Sequence, residues 1–149
     1  MSSIDRVDWH YGNNFPKELP KENGGTHIGL FISWIIESGL IGEIHTNDSS
    51  EGIQKVKRKE ITGRDFLFEF CDGKLWNEDL NEVGVLFAED YYSSDQYFND
   101  YANLLAAEKE TVYHIENNWE NYSKLKKILD VRFKKWNSQR NKKKWQFWK

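Results

Sequence analysis

The sequence of 149 residues predicts a mainly α-helical fold, a compact single-domain bundle of about five helices around a central buried helix. Apolar residues recur every three or four positions in several segments, which is the helical period. Strand-like alternation is weak throughout. The length also fits one domain, since a chain of this size can bury roughly 68–70% of its unfolded surface.

The chain begins with an irregular arm. Residues 4–23 contain both prolines of the sequence, which favours irregular structure over a helix or a strand. The first helix follows, with Asn23 or Thr26 as its cap and Gly39 as its end. Its apolar residues face nearly every direction, so we expect this helix to be the buried centre of the bundle.

The next region has weaker signals. Residues 46–52 are polar and are predicted to form a loop, and the charged segment 53–61 is predicted to be a short helix. Thr62 and Asp65 have the spacing of a capping box, which indicates the start of another helix. Gly73 is predicted to end it.

Two more helices are predicted between residues 77 and 105. Asn77 can cap the first of them, and Ser93 or Ser94 can end it and begin the second. Their apolar residues lie three to four positions apart. These residues are Leu80, Val83, Phe87, Tyr91, Tyr97, Phe98, Tyr101, Leu104 and Leu105.

The last part of the chain combines an extended segment, a helix and a tail. Residues 111–116 alternate weakly and are predicted to be extended. A strongly amphipathic helix then begins near Asn117 or Asn118. We expect the helical domain to span residues 1–137 and a basic aromatic tail to span residues 138–149.

The net charge of −3 conceals a strong asymmetry. Residues 124–149 contain eleven Lys or Arg and one acid, a net charge of +10, so the rest of the chain carries −13. This division indicates an acidic body with a basic end, and therefore charged partners. The tail itself can bind nucleic acid, touch anionic lipid, or cover part of the acidic body.

Cysteine content and hydropathy suggest the compartment. Cys71 is the single cysteine, so no internal disulfide can form, and we predict a packed structural thiol. The N-terminal sequence lacks the pattern of a secretory signal, and no apolar run approaches the ~20 residues of a membrane span. We therefore expect a cytoplasmic protein.

One group of polar residues is a candidate catalytic pocket. Asp8, His10, His27, Arg64 and Asp65 are predicted to converge near the start of the first helix, and imidazole with carboxylate can perform acid–base chemistry. Such residues more often form hydrogen bonds that fix a segment in place. Because phosphate loops, zinc patterns and nucleophile elbows are absent from the sequence, we expect no cofactor, no bound metal and no catalytic residue.

A second group is a candidate partner-binding surface. Its acidic residues are dense enough to mimic phosphate and to dock against a basic protein, with two tyrosines as anchors. The predicted residues are Glu78, Asp79, Glu82, Glu89, Asp90, Tyr91, Tyr92 and Asp95. A solvated helix face is the alternative interpretation.

Several short motifs resemble those of an uncharacterised family of small bacterial proteins. The resemblance spans about residues 5–136 and leaves out the tail. Its motifs are Asp8-Trp9-His10-Tyr11-Gly12, Phe15-Pro16, Leu19-Pro20, Thr26-His27-Ile28-Gly29, Gly63-Arg64-Asp65-Phe66-Leu67, Cys71-Asp72-Gly73-Lys74-Leu75-Trp76, Asp90-Tyr91-Tyr92 and Trp119-Glu120-Asn121-Tyr122.

The family resemblance implies no established activity. Small acidic bacterial proteins of this kind look like immunity proteins, which neutralise a toxin by covering its active site. The sequence therefore favours a binding protein whose partner is a secreted protein toxin, and the alternatives are the small enzyme and the nucleic-acid binder described above.

Overall fold

The computed structural model describes residues 2–12 and 14–148, with side chains described as far as residue 143. Helices dominate it, and the mainly α-helical prediction is confirmed. The described residues form seven α-helices and one two-stranded ribbon. Their bounds are β1 Ser3–Arg6, α1 Thr26–Glu37, α2 Glu43–Asp48, α3 Ser50–Lys57, α4 Gly63–Phe70, β2 Lys74–Trp76, α5 Glu82–Tyr91, α6 Gln96–Leu105 and α7 Trp119–Trp148.

The N-terminal arm is more ordered than the sequence predicts. Strand β1 pairs antiparallel with β2, and Asp5 lies opposite Leu75. Two 3-10 turns follow, at Val7–His10 and Lys21–Gly25. The ribbon joins segments about 70 residues apart, which local sequence patterns cannot show.

Helix α1 is the buried centre of the fold, as predicted. Every residue from Thr26 to Ile36 is buried, and Gly39 follows its end with a φ of +72°. The side chains of Phe31 and Trp34 are at most 1% exposed. The other helices therefore pack around α1, and its first turn is a fixed platform for the arm.

Helices α1 and α4 touch through their backbones at a pair of glycines. A Cβ added to Gly29 would overlap the backbone of Arg64, and one added to Gly63 would overlap the carbonyl oxygen of Gly29. Ser33 bridges the pair, because its hydroxyl donates to Gly29 and accepts from the N–H of Gly63 at 3.0 Å. Glycine at both positions thus permits the close approach.

The predicted caps are partly right. Thr62 and Asp65 form the expected capping box of α4. Helix α5 is capped by Asn81 and not by Asn77, since Asn77 opens a short 3-10 turn. Asp95, in the left-handed region, precedes α6 in place of the predicted serines.

Two segments differ from their predicted structure. Most of the polar segment 46–52, predicted to be a loop, lies in α2 and α3, because His45 and Ile53 are buried and hold these helices against the body. Residues 111–116 contain a 3-10 turn at Val112–His114 and not a strand. Here tertiary contacts override weak local preferences.

Helix α7 packs its apolar stripe on the body through Tyr122, Leu125 and Leu129. It continues to Trp148, so the predicted boundary at residue 137 falls inside a helix. Residue 149 and the side chains of 144–148, which belong to the predicted tail, lie outside the described residues. Within the described chain, no helix combines the length and apolar character needed to cross a bilayer.

Candidate functional site

The two histidines of the predicted pocket lie side by side, with 4.4 Å between their ring centroids. Asp5 lies between them: His10 Nε2 is 2.9 Å from Oδ1 and His27 Nε2 is 3.0 Å from Oδ2. The hydroxyl of Tyr92 and the backbone N–H of Arg6 also donate to this carboxylate. We call Asp5, His10, His27 and Tyr92 the arm cluster, because they fix the arm to α1.

The arm cluster holds a buried negative charge. Burial alone would raise the pKa of Asp5, but the hydrogen bonds and charges of His10 and His27 hold that pKa well below its ordinary value of 3.8. Burial lowers the pKa of His27, with Asp5 acting in the opposite direction. The carboxylate has four internal donors, so its acceptor positions are occupied by the fold itself.

The other residues of the predicted pocket have hydrogen-bond partners outside the arm cluster. Asp8 forms a surface ion pair with Arg6, at 2.8 Å. The guanidinium of Arg64 donates to the Thr26 hydroxyl, and Asp65 caps its own helix. Among the described residues, no hydrogen bond or ion pair joins Asp8, Arg64 or Asp65 to the arm cluster. The structure thus brings together two of the five predicted residues, and adds Asp5.

Asp5 is not among the residues of the predicted pocket, because Asp8 lies closer to His10 along the chain. Only the turn after β1 brings Asp5 back towards the imidazole. Its distance of five residues from His10 was the available signal.

The predicted partner-binding residues divide between surface and interior. The exposed acids border or lie on α5, and we call them the acidic strip: Glu78, Glu82, Glu89, Asp90 and Asp95. The prediction that three further residues contribute to this surface is wrong, because they are buried and hydrogen-bonded inside. Asp79 contacts His45, Tyr91 donates to Asp100, and Tyr92 donates to Asp5.

A groove runs between α5 and α7 beside the acidic strip. The indole N–H of Trp136 on α7 donates to Asp90 Oδ2 on α5 at 2.7 Å, so the two helices are joined beside the groove. Leu86 is 37% exposed, and the groove has a volume of about 410 Å³. It is lined by Leu86, Asp90, Trp136, Gln139, Arg140 and Lys143.

A second buried cluster matches no site predicted from the sequence. His45 Nε2 lies 2.6 Å from Asp79 Oδ1 and 3.8 Å from the sulfur of Cys71. Cys71 lies 26 residues and Asp79 lies 34 residues after His45, and the three residues belong to different parts of the fold. We call them the cysteine cluster: His45, Cys71 and Asp79. Their spacing matches no motif, so only the fold reveals them.

The cysteine cluster is not arranged as a nucleophilic triad. In such a triad the base uses one ring nitrogen for the thiol and the other for the orienting group. Here Cys71 and Asp79 both approach Nε2 of His45. Burial, followed by the charge of Asp79, raises the pKa of the Cys71 thiol, which disfavours the thiolate.

Comparison with known proteins identifies a family. A family model described as "Domain of unknown function (DUF7832)" matches residues 3–115, which includes both clusters and the acidic strip and ends before α7. No curated protein and no solved structure matches the chain.

Proposed function

The chain belongs to the family described as Domain of unknown function (DUF7832), and because that description assigns no activity, we propose from its surface that it is a protein-binding domain. In this proposal it acts as an immunity protein. It covers the active site of a toxin that presents a basic surface, and it makes or breaks no covalent bond.

The observation that carries the proposal is the group of exposed carboxylates on and beside α5. Glu82, Leu86 and Glu89 are spaced so that they share a face. Within the part of the chain whose side chains are described, no ion pair involves Glu82, Glu89, Glu78 or Asp95. A basic partner would supply the missing counter-charges.

The position of Glu89 adds to this argument. It lies in the last turn of α5, where the helix dipole already places partial negative charge. A carboxylate there is unfavourable for the isolated helix. Asp90, next to it, is offset by the indole N–H of Trp136, whereas Glu89 is exposed. A residue that destabilises its own helix without a compensating contact in the described chain is typical of a site that binds a partner.

Leu86 gives the acidic strip an apolar centre. Interfaces commonly combine a small apolar contact with a charged rim. The adjoining groove could receive one long side chain of the partner beside Trp136. Complementary charge would speed the encounter, and burial around Leu86 would lengthen the life of the complex.

The arm cluster supports binding over catalysis at the predicted pocket. A general base must present a lone pair to a substrate. The carboxylate of Asp5 instead accepts four donors from within the fold. These contacts give the arm cluster the geometry of a structural hydrogen-bond network that holds the arm on α1.

The test is affinity capture with the tagged full-length chain from its native host, in low-salt buffer. We expect a basic protein to be retained, to slow growth when expressed alone, and to lose that effect when co-expressed with this chain. Retention of no protein at low salt, or toxicity that co-expression does not relieve, would contradict the proposal.

A further inference from the structure

The cysteine cluster contains three metal-binding side chains at the base of a cleft. The Nε2 of His45, the sulfur of Cys71 and a carboxylate oxygen of Asp79 all lie within 4.8 Å of one another. Each comes from a different element: α2, the residue after α4, and the 3-10 turn before α5. The fold therefore holds three donor atoms together without a local motif.

The donor set suits zinc. Thiolate, imidazole and carboxylate are the three ligand types that Zn²⁺ uses in proteins, whereas Mg²⁺ and Ca²⁺ prefer oxygen alone. A thiolate also raises the preference for zinc over harder cations.

The distances are close to those of a tetrahedral site. With Zn–N near 2.0 Å and Zn–S near 2.3 Å, a tetrahedral angle separates nitrogen and sulfur by about 3.5 Å. The observed separation between His45 and Cys71 is 3.8 Å. Asp79 Oδ1, at 2.6 Å from His45 Nε2, would move back by about 0.7 Å to share the ion.

Hydrogen bonds outside the donors orient two of them. The hydroxyl of Ser49 lies 3.2 Å from Nδ1 of His45, so the imidazole can donate there and leave Nε2 unprotonated. The backbone N–H of Trp76 donates to Oδ2 of Asp79 at 2.7 Å, which leaves Oδ1 for the ion. Such outer contacts are typical of metal sites.

A cleft of about 390 Å³ leads from solvent to these donors. Its walls combine the half-exposed or partly buried apolar side chains of Ile44, Phe68, Phe70 and Trp76 with the acidic residues Glu69, Asp72 and Glu78. Three protein ligands with an open fourth position are typical of a zinc ion that holds a water or an incoming ligand.

The geometry points to a Zn²⁺ site formed by His45, Cys71 and Asp79, with its fourth position open to the cleft. On binding, the Cys71 thiol loses its proton to solvent, and the imidazole proton moves by way of solvent from Nε2, where it was donated to Asp79, to Nδ1, where it faces Ser49. The sulfur, Nε2 and Asp79 Oδ1 then each bond to the ion. The sequence predicts no metal, because the ligands are too far apart along the chain to form a pattern.

The arm cluster offers a comparison within the same molecule. Asp5, His10 and His27 also place three donor atoms within 4.8 Å of one another. There, both carboxylate oxygens already accept two donors each, including Tyr92 and the backbone of Arg6. A metal would have to displace that network, so His10 serves as the matched control.

The test is metal binding by the full-length chain after removal of metals with a chelator. Cobalt(II) is the probe, because thiolate-bound tetrahedral cobalt has a sulfur-to-metal charge-transfer band and strong visible bands. We expect one equivalent of cobalt to produce these bands, and one equivalent of Zn²⁺ to abolish them. This readout on the unaltered chain does not depend on any variant folding.

Variants then assign the ligands. Cys71→Ser should remove the charge-transfer band and weaken zinc binding by more than about a hundredfold, beyond the 10–100-fold range for loss of an outer contact. Ser49→Ala should weaken binding by about tenfold. His10→Gln should leave the affinity unchanged.

Two results would overturn the inference. One is the absence of a stoichiometric cobalt spectrum with thiolate bands in the unaltered chain. The other is zinc binding that survives Cys71→Ser but is lost in His10→Gln, which would place the metal in the arm cluster. Neither result bears on capture of a partner by the acidic strip, which is tested separately.

Discussion

His27 Nε2 lies 3.0 Å from Asp5 Oδ2, a contact that joins strand β1 to the buried central helix across 22 residues. His10 and Tyr92 converge on the same carboxylate, so one side chain links the arm, α1 and the end of α5. The arm cluster is thus a structural centre of the fold, and its removal should be costly.

Asp5→Asn tests that structural role. The amide cannot accept from four donors, and removing one partner of a buried charged network typically costs about 3–5 kcal/mol. We expect urea denaturation to show a loss of that size in the free energy of unfolding. Asp8→Asn, which removes an exposed ion pair three residues away, should leave the midpoint almost unchanged. Equal effects of the two variants would refute the role of the arm cluster.

Acid should destabilise the fold through His27. Its pKa is lowered in the folded chain, chiefly by burial, so the unfolded state binds the proton more readily below the ordinary value of 6.5. Stability therefore falls as the pH drops through and below that ordinary value. The His27→Gln variant should have a lower free energy of unfolding at neutral pH than the unaltered chain, but this free energy should decrease less on acidification. Urea denaturation at each pH measures both effects. Identical pH slopes would count against buried, neutral His27.

A further loss of stability is expected at lower pH from Asp5. Its pKa is depressed in the folded state, so its contribution is present above the ordinary value of 3.8 and is lost as the pH falls below it. In Asp5→Asn this second decline should be smaller. A decline of unchanged size would show that other carboxylates cause it.

Gly29→Ala should disrupt the contact between α1 and α4. Alanine favours helix by about 1 kcal/mol over glycine. The added Cβ, however, would overlap the backbone of Arg64, which cannot move as a flexible side chain can. We expect the steric cost to exceed the gain in helix propensity, so that the free energy of unfolding falls by about 3 kcal/mol in thermal or urea denaturation. Gly12→Ala, where a Cβ meets open space, is the control, and similar losses in both would argue against the close approach.

Ending the chain after Asn137 separates the body from the C-terminal part of α7. Three buried residues of α7 precede that point: Tyr122, Leu125 and Leu129. We therefore expect truncation to lower the free energy of unfolding by ~1 kcal/mol or less, which corresponds to a shift of only a few degrees in the thermal midpoint. A large loss would mean that the C-terminal segment is part of the core. A salt-dependent gel shift with nucleic acid that disappears on truncation would instead favour the nucleic-acid interpretation of the tail.

Local chemistry explains which elements could be predicted from the sequence. The Thr62 capping box and the end of α1 at Gly39 depend on residues a few positions apart, and both are found. The ribbon between β1 and β2 depends on segments about 70 residues apart, and no periodic pattern marks strands of four and three residues.

The sites show the same limit. The two histidines of the arm cluster were predicted as candidates, but their partner Asp5 was not, since the return of the chain after β1 decides which carboxylate faces them. His45, Cys71 and Asp79 meet only because α2 docks on the turn before α5. Tyr91 and Tyr92 are buried by tertiary packing, whereas the acidic residues beside them in the sequence suggest an exposed position.

The most direct test of the proposed function is the Kd of the captured partner for a charge-reversed acidic strip. The pair Glu82→Lys with Glu89→Lys is compared with Asp48→Lys and Glu108→Lys, exposed acids outside the strip that give the same change in net charge. Protein binding through the strip predicts that the first pair raises Kd by about tenfold or more, with a loss of salt dependence, while the second pair has little effect. Equal affinity of both pairs for the partner would contradict it.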